Sequence, residues 1–173
     1  MTDFLKTRAI KLRAIEPEDI DFLYTIENDS DLWDVGVSNM PYSRFLLNKY
    51  IISCTSDIYA DRQMRLVMED GEGRPVGLLD LFNFEPQHLR AEVGVAVLRS
   101  ERNRGYGVQA VCLAVEYARN VLHLHQLCAV VAKDNIPSMK IFQEGGFQEN
   151  AVLKDWIFDG KEYHHAAFMQ IFL

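Results

Sequence analysis

Arg102-Asn103-Arg104-Gly105-Tyr106-Gly107 is the stretch whose reading decides the fold. It follows a strand-like run, Glu92-Val93-Gly94-Val95-Ala96-Val97-Leu98, and precedes a helix-like run from Val108 to about Leu122. A glycine turn that opens a helix gathers unpaired backbone N–H groups at one point, and the helix dipole adds partial positive charge there. Such a turn suits a phosphate or pyrophosphate, and the two arginines bring charge and forked donors. The spacing is Arg-x-x-Gly-x-Gly. No glycine follows Gly107 at the offset of a dinucleotide fingerprint, and no Gly-Lys-Ser/Thr follows for a P-loop. Taken alone, a turn with two glycines is more often a plain loop; the strand before it and the helix after it favour a ligand site.

The rest of the chain falls into place around this turn. Ile10 to Ile15 alternates apolar and basic residues and reads as a first strand. Glu16-Pro17-Glu18-Asp19 reads as a helix start, with proline in the first turn and acidic residues at the positive dipole end. Ile20, Leu23, Tyr24 and Glu27 follow at helical spacing, three of them able to face a core, and Asn28-Asp29-Ser30-Asp31 ends that helix. Trp33 to Ser43 is irregular, and Phe45 to Ile52 predicts a second helix. Met64 to Met68 and Pro75 to Phe84 read as strands around an Asp70-Gly71-Glu72-Gly73 hairpin turn. A turn over Glu85 to Leu89 then leads into a strand from Ala91 to Leu98, so the middle of the chain is an antiparallel meander.

Beyond the glycine turn, Val108, Val111, Cys112, Val115 and Leu122 mark one apolar helix face. Leu127 to Ala132 is a buried-type strand. Asn135-Ile136-Pro137-Ser138 opens another helix, with Asn135 as cap, and Gly145-Gly146 ends it. Strands from Val152 to Phe158 and from His165 to Phe172 meet at Asp159-Gly160. The order predicts an α/β fold of the α+β kind, one domain over residues 1–173. Its sheet is mixed and mostly antiparallel, with one parallel pair at the β-α-β crossover and helices flanking it.

The chain has 173 residues, 49% hydrophobic and 25% charged, which suits one globular domain with a substantial core. A formal net charge of −7 argues against a nucleic-acid partner and mildly favours a cationic small substrate. No run approaches the roughly 18 apolar residues of a membrane span. Met1-Thr2-Asp3-Phe4-Leu5-Lys6 lacks the layout of a secretory signal, so a cytoplasmic protein without a membrane partner is expected. Cys54, Cys112 and Cys128 are scattered without metal or disulfide spacing and fit a reducing cytosol. Cys112 and Cys128 lie in apolar stretches and are expected in the core. His123, His125, His164 and His165 show no metal-ligand spacing, so no metal is expected.

The order of elements, the Arg102–Gly107 turn and the Asn135-Ile136-Pro137-Ser138…Gly146-Phe147 segment together resemble the GCN5-related N-acetyltransferase (GNAT) family over essentially the whole chain. Within it, Thr7-Arg8-Ala9-Ile10-Lys11-Leu12-Arg13-Ala14, the following Glu16-Pro17-Glu18-Asp19 and the Phe158-Asp159-Gly160-Lys161-Glu162-Tyr163 hairpin resemble the spermidine and ribosomal-protein N-terminal acetyltransferase branch. The resemblance implies acetyl-CoA as donor. It implies that backbone N–H groups from Arg102 to Val108 (Arg102, Asn103, Arg104, Gly105, Tyr106, Gly107, Val108) hold the pyrophosphate. It implies that the strand at Val95, Ala96 and Val97 pairs with the pantetheine arm through its main chain, and that Asn135 and its helix meet the other side. An amide-bearing arm can add to a strand edge as a peptide does. The branch also leaves room for a homo-oligomer.

Acetyl transfer to an amine needs the ammonium to lose a proton and the thioester oxygen to meet donors. A free amine is already nucleophilic, so no covalent intermediate is required. Glu92 interrupts an apolar strand and is the candidate base; the plainer reading pairs it with a nearby arginine such as Arg90. Asp80 interrupts Leu78-Leu79-Asp80-Leu81-Phe82 and either lines the acceptor cleft or faces solvent. Phe142 stands where many family members carry a tyrosine assigned to protonate the thiolate. Phenylalanine donates no proton, so Phe142 is expected to pack against cofactor or core, and a non-catalytic CoA-binding protein of the same fold is the alternative reading. The acidic cluster Glu27, Asp29, Asp31 and Asp34 would attract a polyamine or peptide amine, or simply solvate a helix end. Spermidine enzymes carry a paired-glutamate segment in the next loop; here Val37-Ser38-Asn39-Met40-Pro41 lacks it.

Overall fold

Strict alternation along the central strands sorts their side chains onto two faces of one sheet, and each face acquires its own helices. The computed structural model describes residues 4–30, 40–55 and 57–173. Asp31 and Asp34 of the acidic cluster, the irregular stretch from Trp33 to Asn39, and Val37-Ser38-Asn39 within it lie outside the described residues. Among the described residues a seven-stranded sheet runs in the order β1-β2-β3-β4-β5-β7-β6. β1 (Ile10–Ala14), β2 (Met64–Asp70), β3 (Pro75–Glu85) and β4 (Arg90–Val97) form the antiparallel meander. β5 (Gln126–Ala132) is parallel to β4, and β6 (Gln148–Phe158) and β7 (Tyr163–Phe172) form a hairpin whose second strand pairs with β5. The mixed, mostly antiparallel sheet expected from the order of elements is the one observed.

The described helices are α1 (Ile20–Glu27), α2 (Arg44–Ser53), α3 (Ile58–Asp61), α4 (Tyr106–Asn120) and α5 (Ile136–Glu144). On one face, Val67 and Leu78 meet Leu23, Ile26, Leu47 and Ile51 of α1 and α2. On the other, Leu66, Met68, Leu79, Leu81 and Val93 pack with Ala110, Val111 and Ala114 of α4 and Met139 and Phe142 of α5. Each fully buried aliphatic side chain contributes on the order of 2 kcal/mol of transfer free energy. The α4–α5 contact depends on glycine: a Cβ at Gly107 would lie 2.8 Å from Ile141 Cδ1, and one at Gly145 would lie 2.5 Å from Val111 Cγ1. Gly107 therefore has a packing role whatever it does for a ligand.

Three details depart from the sequence reading. The core face of α1 is Leu23 and Ile26; Tyr24 turns outward, where the Arg44 guanidinium lies 4.6 Å from its ring centroid. Cys128 is buried as expected, but Cys112 is exposed, because it sits one residue, a 100° step, beyond the Val111–Val115 stripe. α3 was not anticipated. It is a single turn capped by Asp57, whose carboxylate accepts from Tyr59 N at 2.9 Å, and so short a helix carries no periodic signal.

At the entry to α1, Asp19 is only 4% exposed. Burial works against its charge, but two hydrogen bonds from Arg13, at 2.7 and 2.8 Å, and one from Glu16 N hold its carboxyl below the usual range. A buried carboxylate without such partners would be costly.

Candidate active site

β4 and β5 pair over three residues only: Arg90 with Gln126, Ala91 with Leu127 and Glu92 with Cys128. Past Glu92, β4 continues to Val97 with β3 alone as neighbour, while β5 continues to Ala132 with β7 alone. The sheet therefore splits along its middle. Leu98 N donates to Val76 O at 2.9 Å, so the Val76/Leu98 and Leu78/Ala96 pairs carry the β3–β4 bonds. Val95 and Val97 turn their main-chain groups the other way, toward the split. This narrows the expectation for Val95, Ala96 and Val97: Ala96 presents its carbonyl to β3, where a Cβ on Gly77 would meet it at 2.4 Å. An open strand edge inside a sheet leaves backbone donors and acceptors to be met by something else. Main-chain amides of an extended arm fit that requirement.

The split ends at the glycine turn. Asn103 and Gly105 both take left-handed backbone conformations, with φ of 63° and 77°. A Cβ on Gly105 would touch nothing within 4 Å, so the turn is open above this residue. α4 begins at Tyr106, and the first helical N–H with a carbonyl partner is that of Gln109, on Gly105 O at 3.2 Å. The N–H groups of Tyr106, Gly107 and Val108 precede it at the positive end of a 15-residue helix. N–H groups at a helix start have the geometry that suits an anion. The two arginine side chains point at protein groups: Arg102 Nε donates to Val97 O at 3.2 Å, and Arg104 Nη1 lies 3.2 Å from Glu101 Oε2.

Glu92 faces the same side of the sheet as α1 and α2. It accepts from Asn83 Nδ2 at 2.9 Å, so its partner is Asn83 and not Arg90. Asn83 reaches it because the β3–β4 register shifts between Phe82 and Glu85, with Asn83 at φ 48°. Beside Glu92 opens a cavity of about 550 Å³, lined by buried Ala91 and Cys128, half-buried Phe168 and Gln170, and exposed Glu85 and Arg90. Burial, with the Glu92 charge beside it, pushes the Cys128 thiol up to about 11. It stays protonated at neutral pH and is no nucleophile.

The remaining candidates are spoken for locally. Asp80 neither lines the cleft freely nor faces solvent: Arg65 grips both its oxygens at 2.7 and 2.8 Å and also bonds Glu27. Glu27 and Asp29 are accordingly half-buried ion-pair members, not a solvated helix end. Asn135 caps α5 by accepting from Ser138 N at 3.1 Å. Phe142 is 3% exposed and packs edge-on against Phe147 at 5.2 Å, in the core. His164 is clamped between Asp159 and Asp134 at 3.0 and 2.9 Å, and the Asp159 hydrogen bond raises its pKa. The trio Asp159, Glu162 and His164 brings metal-type donors within 4.8 Å, in a turn already closed by these ion pairs. The sequence reading missed Asn83 and Phe168, which carry no motif, and the Arg102–Asp29 contact, whose two ends it had placed in separate features.

Residues 9–148 match the acetyltransferase (GNAT) domain. The chain belongs to the GNAT acetyltransferase family. It is an acetyl-CoA-dependent N-acetyltransferase. Among its relatives, the spermidine N(1)-acetyltransferase of Escherichia coli K12 is 27% identical over 95% of this chain and 86% of that one. The spermidine N(1)-acetyltransferase of Vibrio cholerae is 25% identical over 94% and 92%. A crystal structure of the Vibrio cholerae enzyme in complex with CoA and spermine superposes with a TM-score of 0.83, at 24% identity, covering 94% of this chain and 95% of that one. A dodecameric structure of that enzyme gives 0.77, at 24% identity, over 94% and 93%. This GNAT chain has no helix, among the described residues, long and apolar enough to cross a membrane.

Proposed function

We propose that this acetyltransferase acetylates a primary amine of a polyamine by direct attack, with Glu92 as the base. The observation that carries the reading is the split beyond Glu92: an open β4 edge leads from a carboxylate to an anion cradle. The relatives named for spermidine and the net charge of −7 support the polyamine class. Acetyl-CoA supplies an activated acetyl thioester. The N–H groups of Tyr106, Gly107 and Val108 would hold its diphosphate, and Val95 and Val97 would pair with its pantetheine amides. Asn135 would set the end of α5 against the other side of the split. Asn83 fixes one oxygen of Glu92, leaving the carboxylate aimed at the cavity to take the ammonium proton. Cys128 remains a thiol beside it, and no acetyl-cysteine intermediate forms. The exposed aromatic band of Trp156, Phe158 and Tyr163 on the outer hairpin supports self-association.

The test is CoA release with spermidine across pH. Amine ammonium groups titrate near 10, so the need for a base fades as pH rises. Glu92→Gln should cost about 10²-fold in kcat/KM at pH 7 and less than about tenfold at pH 9. An equal loss at both pH values would assign Glu92 a structural role. The buried Phe142 offers no proton, so on this reading the thiolate leaves without an acid from position 142.

A further inference from the structure

We propose that the cavity beside Glu92 takes a second class of acceptor, a primary amine that carries a carboxylate on a short tail. The proposal rests on Glu92 as the base and goes beyond the polyamine reading. It is carried by the order of charges along the cavity. Arg90 and Glu92 stand two residues apart on β4, so their side chains share one face of the strand at a spacing of about 7 Å. The split opens past Glu92, and Arg90 lies on the opposite side of Glu92 from it. Arg62 joins Arg90 at that far end. Its carbonyl accepts from Phe84 N at 3.1 Å, next to the Asn83 that holds Glu92. Among the described residues, neither guanidinium forms an ion pair. Glu85 is the register partner of Arg90 across β3 and β4, which leaves two cationic forks against one carboxylate at this end.

The backbone gives no reason of its own for arginine at position 62. The residue ends α3 in the left-handed region, at φ 57° and ψ 14°. Glycine takes that conformation without the crowding a Cβ brings. The cavity floor adds a donor and no countercharge. Asn150 Nδ2 donates to Gln170 Oε1 at 3.0 Å, and Gln170 Nε2 donates to Gln126 Oε1 at 2.7 Å. This amide ladder ends on Gln126 Nε2, and Gln126 is the register partner of Arg90 on β5. Donors thus gather at one end of the cavity and a carboxylate at the other. A planar guanidinium fork matches a carboxylate in geometry as well as charge.

An acceptor with an amine at one end and a carboxylate at the other meets both ends. It carries no net charge, so the −7 of the chain does not repel it as it would a plain anion. With the tail on Arg62 and Arg90, the amine lies at Glu92, facing the split. The ammonium gives one proton to Glu92, and its nitrogen then bonds the acetyl carbon as the carbon–sulfur bond breaks. Sulfur leaves with that electron pair and takes the second proton shed by the nitrogen, and Glu92 returns its own proton to solvent. The products are an N-acetylated amino carboxylate and CoA.

Three five-carbon amines test the far end by CoA release at saturating acetyl-CoA: 5-aminopentanoate, pentylamine and cadaverine, with spermidine alongside. In the wild-type protein, kcat/KM for 5-aminopentanoate should exceed that for pentylamine about tenfold. In Arg62→Gly/Arg90→Gln the ratio should fall below about twofold, and kcat/KM for cadaverine should rise about threefold, since two cations leave the site. Arg62→Gly alone should keep its Tm, because glycine fits the backbone there, and still lower the ratio about threefold. Equal kcat/KM for 5-aminopentanoate and pentylamine, with spermidine acetylated, would overturn the carboxylate end and leave the polyamine reading standing. A preference for 5-aminopentanoate without turnover of spermidine would uphold the carboxylate end and overturn the polyamine reading. A preference that survives the double substitution would assign the tail to other groups and overturn the proposal. No CoA release with any of the four amines would overturn both.

Discussion

Phe142 illustrates how a single residue divides two accounts of the chemistry. Its ring sits in the core against Phe147, 3% exposed, with no polar atom to offer. A thiolate leaving group resembles cysteine, with a reference pKa near 8.5, and departs without an obligatory acid. On this account a tyrosine at 142 would add a hydroxyl to an apolar pocket and gain nothing. Phe142→Tyr should cost about 1–3 kcal/mol for an unpaired buried hydroxyl, seen as a lower Tm, and leave kcat unchanged. A rise in kcat of more than about tenfold at unchanged Tm would show instead that position 142 opens onto the leaving group. Glu92 teaches the complementary lesson. Its interruption of an apolar strand was visible in the sequence, but its partner was not, because Asn83 reaches it only through a register shift.

At the scale of elements, the meander was legible because its turns carry their own chemistry. Asp70-Gly71-Glu72-Gly73 turns the chain by accepting Glu72 N and Arg74 N on the Asp70 carboxylate, both at 2.9 Å. The helix after the glycine turn was legible by its apolar stripe, although Cys112 was assigned to the wrong side of it. The split between β4 and β5 was legible only through the family resemblance, which implied a strand edge at Val95, Ala96 and Val97 open to a pantetheine arm, and not from the residues themselves. Val93, Val95 and Val97 read as an ordinary buried strand, since a backbone waiting for a ligand leaves no mark on side chains. Gly77 gives this region a sharp test. A Cβ there would lie 2.4 Å from Ala96 O and 3.3 Å from Met68 Cε, and the first contact is backbone of the neighbouring strand. Gly77→Ala should therefore push β4 outward, costing about 3 kcal/mol in denaturant unfolding and raising the acetyl-CoA KM. A stable Gly77→Ala protein with an unchanged KM would mean that the β4 edge does not depend on the β3 register.

At the scale of the whole molecule, two fields of opposite sign meet at the split. The chain carries a formal net charge of −7, while the helix end at Tyr106–Val108 is locally positive. Around the cavity the charges balance, with exposed Arg62 and Arg90 against exposed Glu85 and half-buried Glu92. Attraction of a multiply charged amine therefore comes from the molecule as a whole and not from the cavity rim. Such attraction is long-ranged and screenable. Between about 0.1 M and 1 M salt the Debye length falls from about 10 Å to about 3 Å, and the spermidine KM should rise several-fold. A monoamine of similar length should move less than about twofold over the same range, since it carries less charge into the same field. Acetyl-CoA meets opposing terms, repulsion from the whole and attraction to the cradle, so its KM should move least. If the spermidine and monoamine KM values respond equally to salt, the net charge has no part in acceptor choice, and selection must lie in contacts within the cavity.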